Sequence, residues 1–416
     1  MTDIEALKDE FPIFAAYARD NQALHYLDNA ATTHKPQCVV DSISECYALG
    51  YGPVARGLYD LAEQATQDYE QAREAVARFI GTSASSIIFT KSATESLNTV
   101  AQGAIKALLS QGDEVWVTYA EHHANYLPWM KVCEQKGATL RRLDIDENGK
   151  LIWPPASEFE NKKVKCLAIS LISNVLGCYA DVASIVAHAN QAGIWTVVDA
   201  AQAISIQPID VHSLAPDFMV FSGHKMFGPT GIGVLYVSPM PSNGKSAPLD
   251  LVTPTVLGGG MVDWVGDSIA NTEFIDGPQA FEAGSPNLCG ALGLASAIAF
   301  LERLDRTELY HHVSRLAVDC GHAINTMPGY TVLGDQDNWK AGIVTFTHQS
   351  IHPHDIAQIC AQNGVAIRAG HHCAQPLMTS LGHAASARVS FSLYNVKQDS
   401  DALMRCLASA AEIFEC

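Results

Sequence analysis

The chain has 416 residues, of which 48% are hydrophobic and 17% charged, so it carries enough apolar side chains for a large core and is not a wholly disordered chain. Its length predicts two or three domains, because single cores seldom grow beyond about 250–300 residues. Asp and Glu outnumber Lys and Arg by 44 to 26, giving a formal net charge of −18 that argues against binding to nucleic acid or to an anionic membrane surface.

The N-terminal segment and the cysteines both indicate a reducing, cytoplasmic location. The segment is acidic and amphipathic and lacks the basic start and apolar run of a secretory signal. No run of about 18 apolar residues predicts a membrane-spanning helix. The 11 cysteines are odd in number, irregularly spaced and without a Cys-x-x-Cys motif, so they predict neither a disulfide framework nor a zinc ribbon.

Between residues 60 and 240, helix-type periodicity alternates with short apolar runs that are typical of buried strands. Helices are predicted at 64–80, 94–109 and 182–192. Strands are predicted at 86–90, 114–119, 164–170, 195–198 and 218–221. Apolar strands separated by helices predict an α/β fold with a mostly parallel sheet that helices cover on both faces.

The pattern changes after residue 294, where shorter elements predict a smaller α+β domain. Its predicted helices are 294–303, 311–327 and 399–414, and its predicted strands are 342–347, 365–368 and 387–392. A stretch rich in Gly, Pro and Ser at 239–260 predicts a loop or hairpin that projects from the large domain. The predicted organisation is an N-terminal segment at 1–25 that packs with the small domain, a large domain at 26–293 and a small domain at 294–416.

Two charged residues follow neighbouring predicted strands. Asp199 comes directly after strand 195–198, and Lys225 follows strand 218–221. Ligands of open α/β sheets collect at the carboxyl ends of the strands. A desolvated Lys loses its proton readily and suits imine formation, and pyridoxal phosphate requires such a lysine together with a carboxylate facing its ring nitrogen. Taken alone, Asp199 could equally cap a helix.

Two further strand ends carry features that fit the same coenzyme. Ser92 and Glu95 have the spacing of a capping box, and free backbone N–H groups at such a helix start favour a phosphate, although most capping boxes only cap. The motif Glu121-His-His-Ala-Asn125 follows another strand, where a histidine could stack on a flat ring or simply lie at the surface. Four features at successive strand ends favour one shared site.

Two other patterns are set aside. The glycine-rich segment 228–233 precedes a strand instead of opening a helix after one, so it does not predict NAD binding. The histidine pairs 122/123, 371/372 and 352/354 have neither the i, i+4 spacing of helical metal ligands nor a carboxylate partner, so no metal site is predicted.

Cys373 lies on a predicted Gly-containing loop with the basic neighbours Arg368, His371 and His372. Positive neighbours raise the thiolate fraction of a cysteine, so a reactive thiol is favoured over one more small buried residue. Arg388 lies among small and apolar residues of a predicted strand. Its guanidinium could bind a substrate carboxylate through two hydrogen bonds or form a structural ion pair.

At this point the chain resembles the fold-type I pyridoxal phosphate enzymes of the class V aminotransferase family, and more closely the group II cysteine desulfurases of the CsdA/SufS type. The resemblance runs nearly end to end and rests on the motifs YLDNAA at 26–31, EHHAN at 121–125, SNVLG at 173–177, DAAQ at 199–202, SGHK at 222–225, EAGSPN at 282–287 and RAGHHC at 368–373. Group I relatives carry a longer, Ser-rich loop around the cysteine.

The resemblance implies a role for each of eleven residues. Those around the coenzyme are Lys225 for the imine and the α-proton, Asp199 for the ring nitrogen, Gln202 for the ring hydroxyl, His122 for ring stacking, and Thr94, Ser222, His224 and Ser285 for the phosphate, with Ser285 coming from the other subunit of a homodimer. Those around the substrate are Asn174 and Arg388 for the carboxylate and Cys373 as the sulfur acceptor.

The resemblance also implies the reaction. L-cysteine would become L-alanine, and its sulfur would form a persulfide on Cys373 before passing to an acceptor protein of the SufE/CsdE type for iron–sulfur cluster or thio-cofactor assembly. Selenocysteine lyase, kynureninase-like cleavage and epimerisation are alternatives with the same coenzyme. A coenzyme-free Cys/His acyl-transfer enzyme and an inactive sulfur-carrier scaffold are alternatives of other classes.

The chain departs from the family pattern at three places. Relatives often have Arg-Gly-Thr-Thr-Glu where this chain has Lys91-Ser-Ala-Thr-Glu95, so that only Thr94 offers a hydroxyl there. They commonly have Thr at the position of Ser285, which preserves the hydroxyl. They also carry His before the Arg56-Gly57 pair, where this chain has Ala55, so a histidine at the entrance of the site is not expected.

Overall fold

The computed structural model describes residues 4–19, 23–55, 57–146, 148, 150–178, 181–240, 245 and 247–414. Over these residues the largest sheet has seven strands: β1 Ile87–Thr90, β2 Glu114–Thr118, β3 Thr139–Leu143, β4 Val164–Ser170, β5 Trp195–Asp199, β6 Phe218–Ser222 and β7 Gly233–Val237. Their spatial order is β1-β7-β6-β5-β4-β2-β3. The strands from β6 to β3 pair in parallel, and β7 is antiparallel to both of its neighbours.

The described helices are α1 Ile4–Asp9, α2 Pro12–Arg19, α3 Gln37–Glu45, α4 Asp60–Ile80, α5 Ala93–Val100, α6 Lys106–Leu108, α7 Leu127–Lys136, α8 Ala156–Phe159, α9 Val182–Gln191, α10 Val211–Leu214, α11 Pro248–Leu251, α12 Leu288–Glu302, α13 Arg306–Asn325, α14 Gln336–Trp339, α15 Pro353–Gln362, α16 Gln375–Ser380 and α17 Lys397–Phe414. Within the described residues, none of them combines the length and the apolar character that crossing a bilayer requires.

Helices cover both faces of the large sheet. Ile87 and Phe89 of β1 pack into the cluster that contains α4 and α12, whereas Ile88 packs into the cluster of α5 and α7 on the other face. This alternation follows from the period of two in a strand. Helix α4 buries side chains at three- and four-residue intervals and ends at Gly81, whose φ of 77° suits a left-handed C-cap. The predicted α/β fold with a mostly parallel, two-faced sheet is therefore confirmed.

The second sheet is smaller and antiparallel. Its strands are β8 Tyr330–Val332, β9 Ile343–His348, β10 Arg368–Gly370 and β11 Ser386–Ser390, in the order β8-β9-β11-β10. Helices α13, α15 and α17 supply most of the helical side chains in its core. Near the N-terminus, His25–Tyr26 pairs in parallel with Val365–Ala366, so the beginning of the described chain contacts the C-terminal part.

Several elements differ from their predicted bounds. The predicted strand 365–368 divides, because Val365–Ala366 pairs with the N-terminal strand while Arg368–Gly370 joins the small sheet. The predicted helix 294–303 begins earlier, at Leu288, and packs on α3 and α4. It therefore crosses the predicted domain boundary at 293/294, and the division into domains stays a prediction.

The segment at 239–260 is more structured than the predicted loop. Its residues 241–244 and 246 lie outside the described residues, and the described part contains helix α11. A hairpin does form, but later in the chain, where Val262–Trp264 pairs with Glu273–Phe274. Pro248 is the first residue of α11, a position where its missing N–H costs nothing.

Cys46 and Cys289 form a disulfide with their Cα atoms 5.6 Å apart. Both side chains are buried, and the bond joins the end of α3 to the first turn of α12. The irregular spacing of the cysteines predicts no disulfide framework, and the Cys46–Cys289 bond shows that this prediction was wrong for these two residues. The two cysteines are 243 residues apart in the chain, and only the packing of α12 on α3 brings them together.

Glu282 forms a buried cluster that fixes the segment 282–287 against the large sheet. Its Oε1 accepts from Arg73 Nη1 at 2.6 Å and from the backbone N–H of Phe89 at 2.7 Å. Its Oε2 accepts from Arg73 Nη2 at 2.9 Å and from the Tyr69 hydroxyl at 2.9 Å. The side chains of Arg73 and Glu282 are 1% and 7% exposed. Arg73 also donates from Nε to Glu70 Oε2 at 2.9 Å, but Glu70 is more exposed, so Glu282 is its main buried counter-charge.

We expect Glu282→Ala to lower the free energy of unfolding by about 3–5 kcal/mol, because it leaves the buried Arg73 guanidinium without its main partner. Urea unfolding at one fixed protein concentration measures the change. The control is the double variant Arg73→Met, Glu282→Leu, which replaces both charges by apolar side chains and should lose less than half as much. An equal loss in the single and double variants would contradict this account.

Candidate active site

The predicted site residues lie around one cavity of about 200 Å³ at the carboxyl ends of β4, β5 and β6. Strands that run in parallel bring their carboxyl ends to the same edge of a sheet, so residues from distant parts of the chain are collected there. Ten of the eleven predicted residues line this cavity: Thr94, His122, Asn174, Asp199, Gln202, Ser222, His224, Lys225, Cys373 and Arg388.

An amine and a carboxylate lie at two neighbouring strand ends. Asp199 is the last residue of β5, and its Oδ1 accepts from the Ala201 N–H at 2.9 Å. Lys225 ends a short 3₁₀ turn that follows β6. Burial lowers the pKa of Lys225 to about 8, against the opposing effect of the Asp199 charge. Burial raises the pKa of Asp199, so a cationic N–H group facing this carboxylate would stabilise its ionised form.

His122 presents a neutral ring to the cavity. Its Nδ1 accepts from the backbone N–H of Ala124 at 3.1 Å, which fixes the ring orientation. Burial, and next the charge of Lys225, lower the pKa of His122 to about 3, so the imidazole is uncharged at neutral pH. Gln202 also lines the cavity and donates from Nε2 to the Ala30 carbonyl at 2.8 Å. This hydrogen bond fixes the orientation of its amide.

The start of helix α5 lies at one end of the cavity. The Ser92 hydroxyl accepts from the Glu95 N–H at 3.4 Å, and Glu95 Oε2 accepts from the Lys91 N–H at 2.6 Å, so the predicted cap forms. The hydroxyl of Ser222 accepts from the Ala93 N–H at 2.8 Å. The cavity lining there combines a helix start with the side chains of Thr94, Ser222 and His224. Such a group of donors suits an anion.

Arg388 lies on β11 at the opposite side of the cavity, and its side chain is 2% exposed. Its Nη2 donates to Asp28 Oδ1 at 3.0 Å and its Nη1 to the Asn174 carbonyl at 2.8 Å. Its Nε and the Asn174 Oδ1 are buried without a hydrogen-bond partner. Because buried polar groups are normally paired, these two atoms indicate that a polar ligand belongs here.

Two residues near Arg388 were not among the predicted site residues. Asp28 lies 360 positions away in the chain and no local pattern predicts its pairing with Arg388. Arg368 was predicted only as a basic neighbour of Cys373, but it is the direct cross-strand partner of Arg388 and also lines the cavity. If the register between β10 and β11 had been known, it would have indicated that Arg368 and Arg388 are cross-strand partners.

Cys373 lies on a tight turn between β10 and α16 and is partly exposed. His372 and Cys373 have φ values of 52° and 56°, a left-handed conformation that costs free energy in residues other than glycine. The turn is therefore held by contacts from outside it. Asn174 Nδ2 donates to the His372 carbonyl at 2.7 Å, and the His372 Nε2 lies 3.0 Å from the Ser386 hydroxyl.

Ser285 is the one predicted site residue that does not line this cavity. It is exposed and lines a separate cavity together with Lys91 and Asn287. Its role therefore stays a prediction, tied to the other subunit of a homodimer. At the predicted entrance, Ala55 has a left-handed backbone with a φ of 68°. The neighbouring Arg56 lies outside the described residues.

Comparisons with known proteins agree with this geometry. The family model described as Aminotransferase class-V matches residues 25–403. A probable cysteine desulfurase of Vibrio cholerae is 39% identical over 414 residues, which cover 99% of this chain and 100% of that protein. A probable cysteine desulfurase of Halalkalibacterium halodurans is 41% identical over 409 residues, covering 98% of each chain.

Two solved structures share the fold over the whole chain. The cysteine desulfurase CsdA (S-sulfonic acid) from Escherichia coli superposes with a TM-score of 0.87 at 35% identity, covering 100% of both chains. The apo structure of the cysteine desulfurase from Thermococcus onnurineus gives a TM-score of 0.88 at 32% identity, covering 100% of this chain and 99% of that one.

Proposed function

The chain belongs to the class-V aminotransferase family, and we propose that it is a pyridoxal phosphate-dependent cysteine desulfurase, which converts L-cysteine to L-alanine and keeps the sulfur on Cys373 as a persulfide. The observation that carries the proposal is one cavity with Lys225 and Asp199 of the large sheet on one side and Cys373 and Arg388 of the C-terminal part on the other. An amine, a carboxylate, a thiol and a guanidinium are the groups that this reaction needs.

The cavity fits pyridoxal phosphate at its phosphate, its ring nitrogen, its ring face and its aldehyde. The donors at the start of α5 suit the phosphate. The buried Asp199 suits the ring nitrogen, and the neutral His122 ring suits stacking on the pyridine. Lys225, which burial brings to a pKa of about 8, supplies the amine that binds the aldehyde. The unpaired Asn174 Oδ1 leaves one acceptor for a polar group of the ligand.

When bound, pyridoxal phosphate supplies an electron-withdrawing ring that acidifies the α-proton of an amino acid. Arg388 holds the substrate carboxylate, and Lys225 takes the proton from the α-carbon. The Cys373 thiolate attacks the substrate Sγ, so that an S–S bond forms while the Cβ–S bond breaks. The electron pair stays with the carbon skeleton, which gains a proton and leaves as alanine. The persulfide remains on Cys373.

The partners and location belong to the same proposal. A homodimer is supported by the exposed Ser285 and by the exposed apolar side chains of Tyr47, Leu49, Leu58 and Tyr59, which a second subunit could cover. Partial exposure of Cys373 supports transfer of its sulfur to an acceptor protein of the SufE/CsdE type. Seven cysteines among the described residues are free and two form the Cys46–Cys289 disulfide, and the predominance of free thiols supports a reducing, cytoplasmic location.

The test is product analysis with the coenzyme-loaded protein. With L-cysteine and a reductant, we expect alanine and sulfide in a one-to-one ratio. Absence of alanine would exclude the proposed reaction and leave a sulfur-carrier scaffold. A selenocysteine lyase or another lyase of the family would keep its main activity after Cys373→Ala. A coenzyme-free acyl-transfer enzyme would be colourless and would keep its activity after Lys225→Ala.

Arg388→Lys is expected to lower kcat/KM for cysteine by about 10- to 100-fold, mainly through a higher KM. Lysine retains the positive charge but loses the planar fork that binds a carboxylate through two hydrogen bonds. Steady-state kinetics of alanine formation measures the change. Arg405→Lys on the exposed face of α17 is the matched control and should behave as wild type. A kcat/KM within twofold of wild type for Arg388→Lys would contradict carboxylate binding by this residue.

A further inference from the structure

His123 contacts the turn that carries the reactive cysteine, although it lies about 250 positions away in the chain. The backbone N–H of His123 donates to the Cys373 carbonyl at 2.7 Å. The ring Nε2 of His123 accepts from the backbone N–H of Gln375 at 3.2 Å. One residue therefore holds the turn through two hydrogen bonds, both directly after its left-handed residues His372 and Cys373.

The second of these hydrogen bonds caps a helix. Gln375 is the first residue of α16, and the first N–H groups of a helix have no partner within it. Ala374 stands at the N-cap position, where its methyl group cannot accept a hydrogen bond. The His123 imidazole supplies the missing acceptor from a different part of the chain.

The protonation of His123 fits this acceptor role. Burial, and next the neighbouring His371, lower the pKa of His123 below its ordinary value, so the ring is neutral at neutral pH and one nitrogen is free to accept. The two rings lie 5.8 Å apart between centroids. His371 belongs to the same turn, so the two tilted rings add a third contact between these segments.

His123 also follows directly on His122, the residue whose ring faces the coenzyme cavity. The segment His123–Asn125 is a short 3₁₀ turn that begins directly after His122. The backbone of this turn therefore fixes both the His122 ring and the contacts that His123 makes with the Cys373 turn. The position of the thiol is thereby tied to the position of the coenzyme ring. Nucleophilic attack is sensitive to such placement, since an error of 1 Å can lower a rate by about 10²-fold.

We propose that His123 is a positioning residue, which sets the reach of the Cys373 thiol toward the substrate sulfur by holding the turn at Cys373 and capping α16. This inference rests on the proposed desulfurase activity. His123 itself makes and breaks no bond in the reaction. Its role requires the ring nitrogen as a hydrogen-bond acceptor. We expect binding of the amino acid, which depends on Arg388 and Asn174, to be independent of His123.

The experiment compares His123→Gln, whose Oε1 reaches as far as the imidazole Nε2, with His123→Leu and with His123→Asn, whose acceptor is too short to reach Gln375. In the coenzyme-loaded enzyme we expect the Leu and Asn variants to form persulfide about 10- to 100-fold more slowly, with the KM for cysteine within twofold of wild type. The Gln variant should return to within about threefold of wild type. His212→Leu, an exposed histidine on α10, controls for loss of an imidazole.

A second readout does not depend on turnover. The rate at which iodoacetamide alkylates Cys373 in the coenzyme-loaded enzyme should change several-fold in the Leu and Asn variants and little in the Gln variant. Persulfide formation within twofold of wild type in the Asn variant, or equal loss in the Gln and Asn variants, would overturn the inference. If the wild-type protein released no alanine at all, the proposed function would fail, while the alkylation rates would still decide whether His123 positions the thiol.

Discussion

Lys225→Ala is expected to lower alanine formation by about 10⁴-fold or more. The variant loses both the amine that binds the coenzyme and the base that takes the α-proton, and each of these contributions is large. Among the described residues that line the cavity, Lys225 is the one lysine, so no other amine there can replace it. Alanine is measured by amino-acid analysis after incubation with cysteine and added pyridoxal phosphate.

A chemical experiment on the wild-type protein separates this role from a structural one. Borohydride reduction should fix the coenzyme on Lys225, and peptide mapping should find the adduct there. Lys35 is the matched comparison, because burial also lowers its pKa to about 8 but it does not line the cavity. An adduct on Lys35, or none at all on Lys225, would contradict the assignment.

Cys373→Ser is expected to lower persulfide formation and alanine release by roughly 10³-fold or more, because a hydroxyl cannot replace a thiolate as the nucleophile toward sulfur. Coenzyme binding and the change in visible absorbance on adding cysteine should persist, since Lys225, Asp199 and Arg388 are unchanged. Labelling of the persulfide followed by mass spectrometry gives the site and the rate.

Cys38→Ser is the control for this substitution. Cys38 is a free, exposed cysteine that does not line the cavity, so its loss should leave persulfide formation unchanged. Persulfide formation at the wild-type rate in Cys373→Ser would show that another cysteine is the sulfur acceptor. Equal loss in both variants would point to a general effect of thiol removal.

Most of the large sheet could be predicted from the sequence because its strands are covered on both faces. Runs such as those at β4 and β5 are almost entirely apolar, and such runs are hard to mistake. Strand β3 was missed because it is the last strand of the sheet and carries the partly exposed Arg141 and the exposed Arg142. The direction of β7, antiparallel to both neighbours, has no signature in its own residues.

The candidate site was predictable where its residues directly follow strands. Asp199, Lys225 and His122 each have a position that the strand end determines. The contacts between distant segments were not predictable in this way. The pairs Arg388 with Asp28 and Cys46 with Cys289 depend on packing between segments that are far apart in the chain. The same is true of the cap that His123 provides for α16.

The placement of Arg368 and Arg388 at paired positions of neighbouring strands has an energetic consequence for recognition. They are direct cross-strand partners, and like charges in such positions repel by about 0.2–1 kcal/mol at ordinary sheet sites. A zwitterion arriving with its anionic group between them relieves this repulsion. Asp28 already pairs with Arg388, but a decarboxylated thiol amine such as cysteamine would supply no further anion and would add one more cation. The two arginines therefore favour binding of an amino acid over binding of a simple amine, and this preference is built into the unliganded protein.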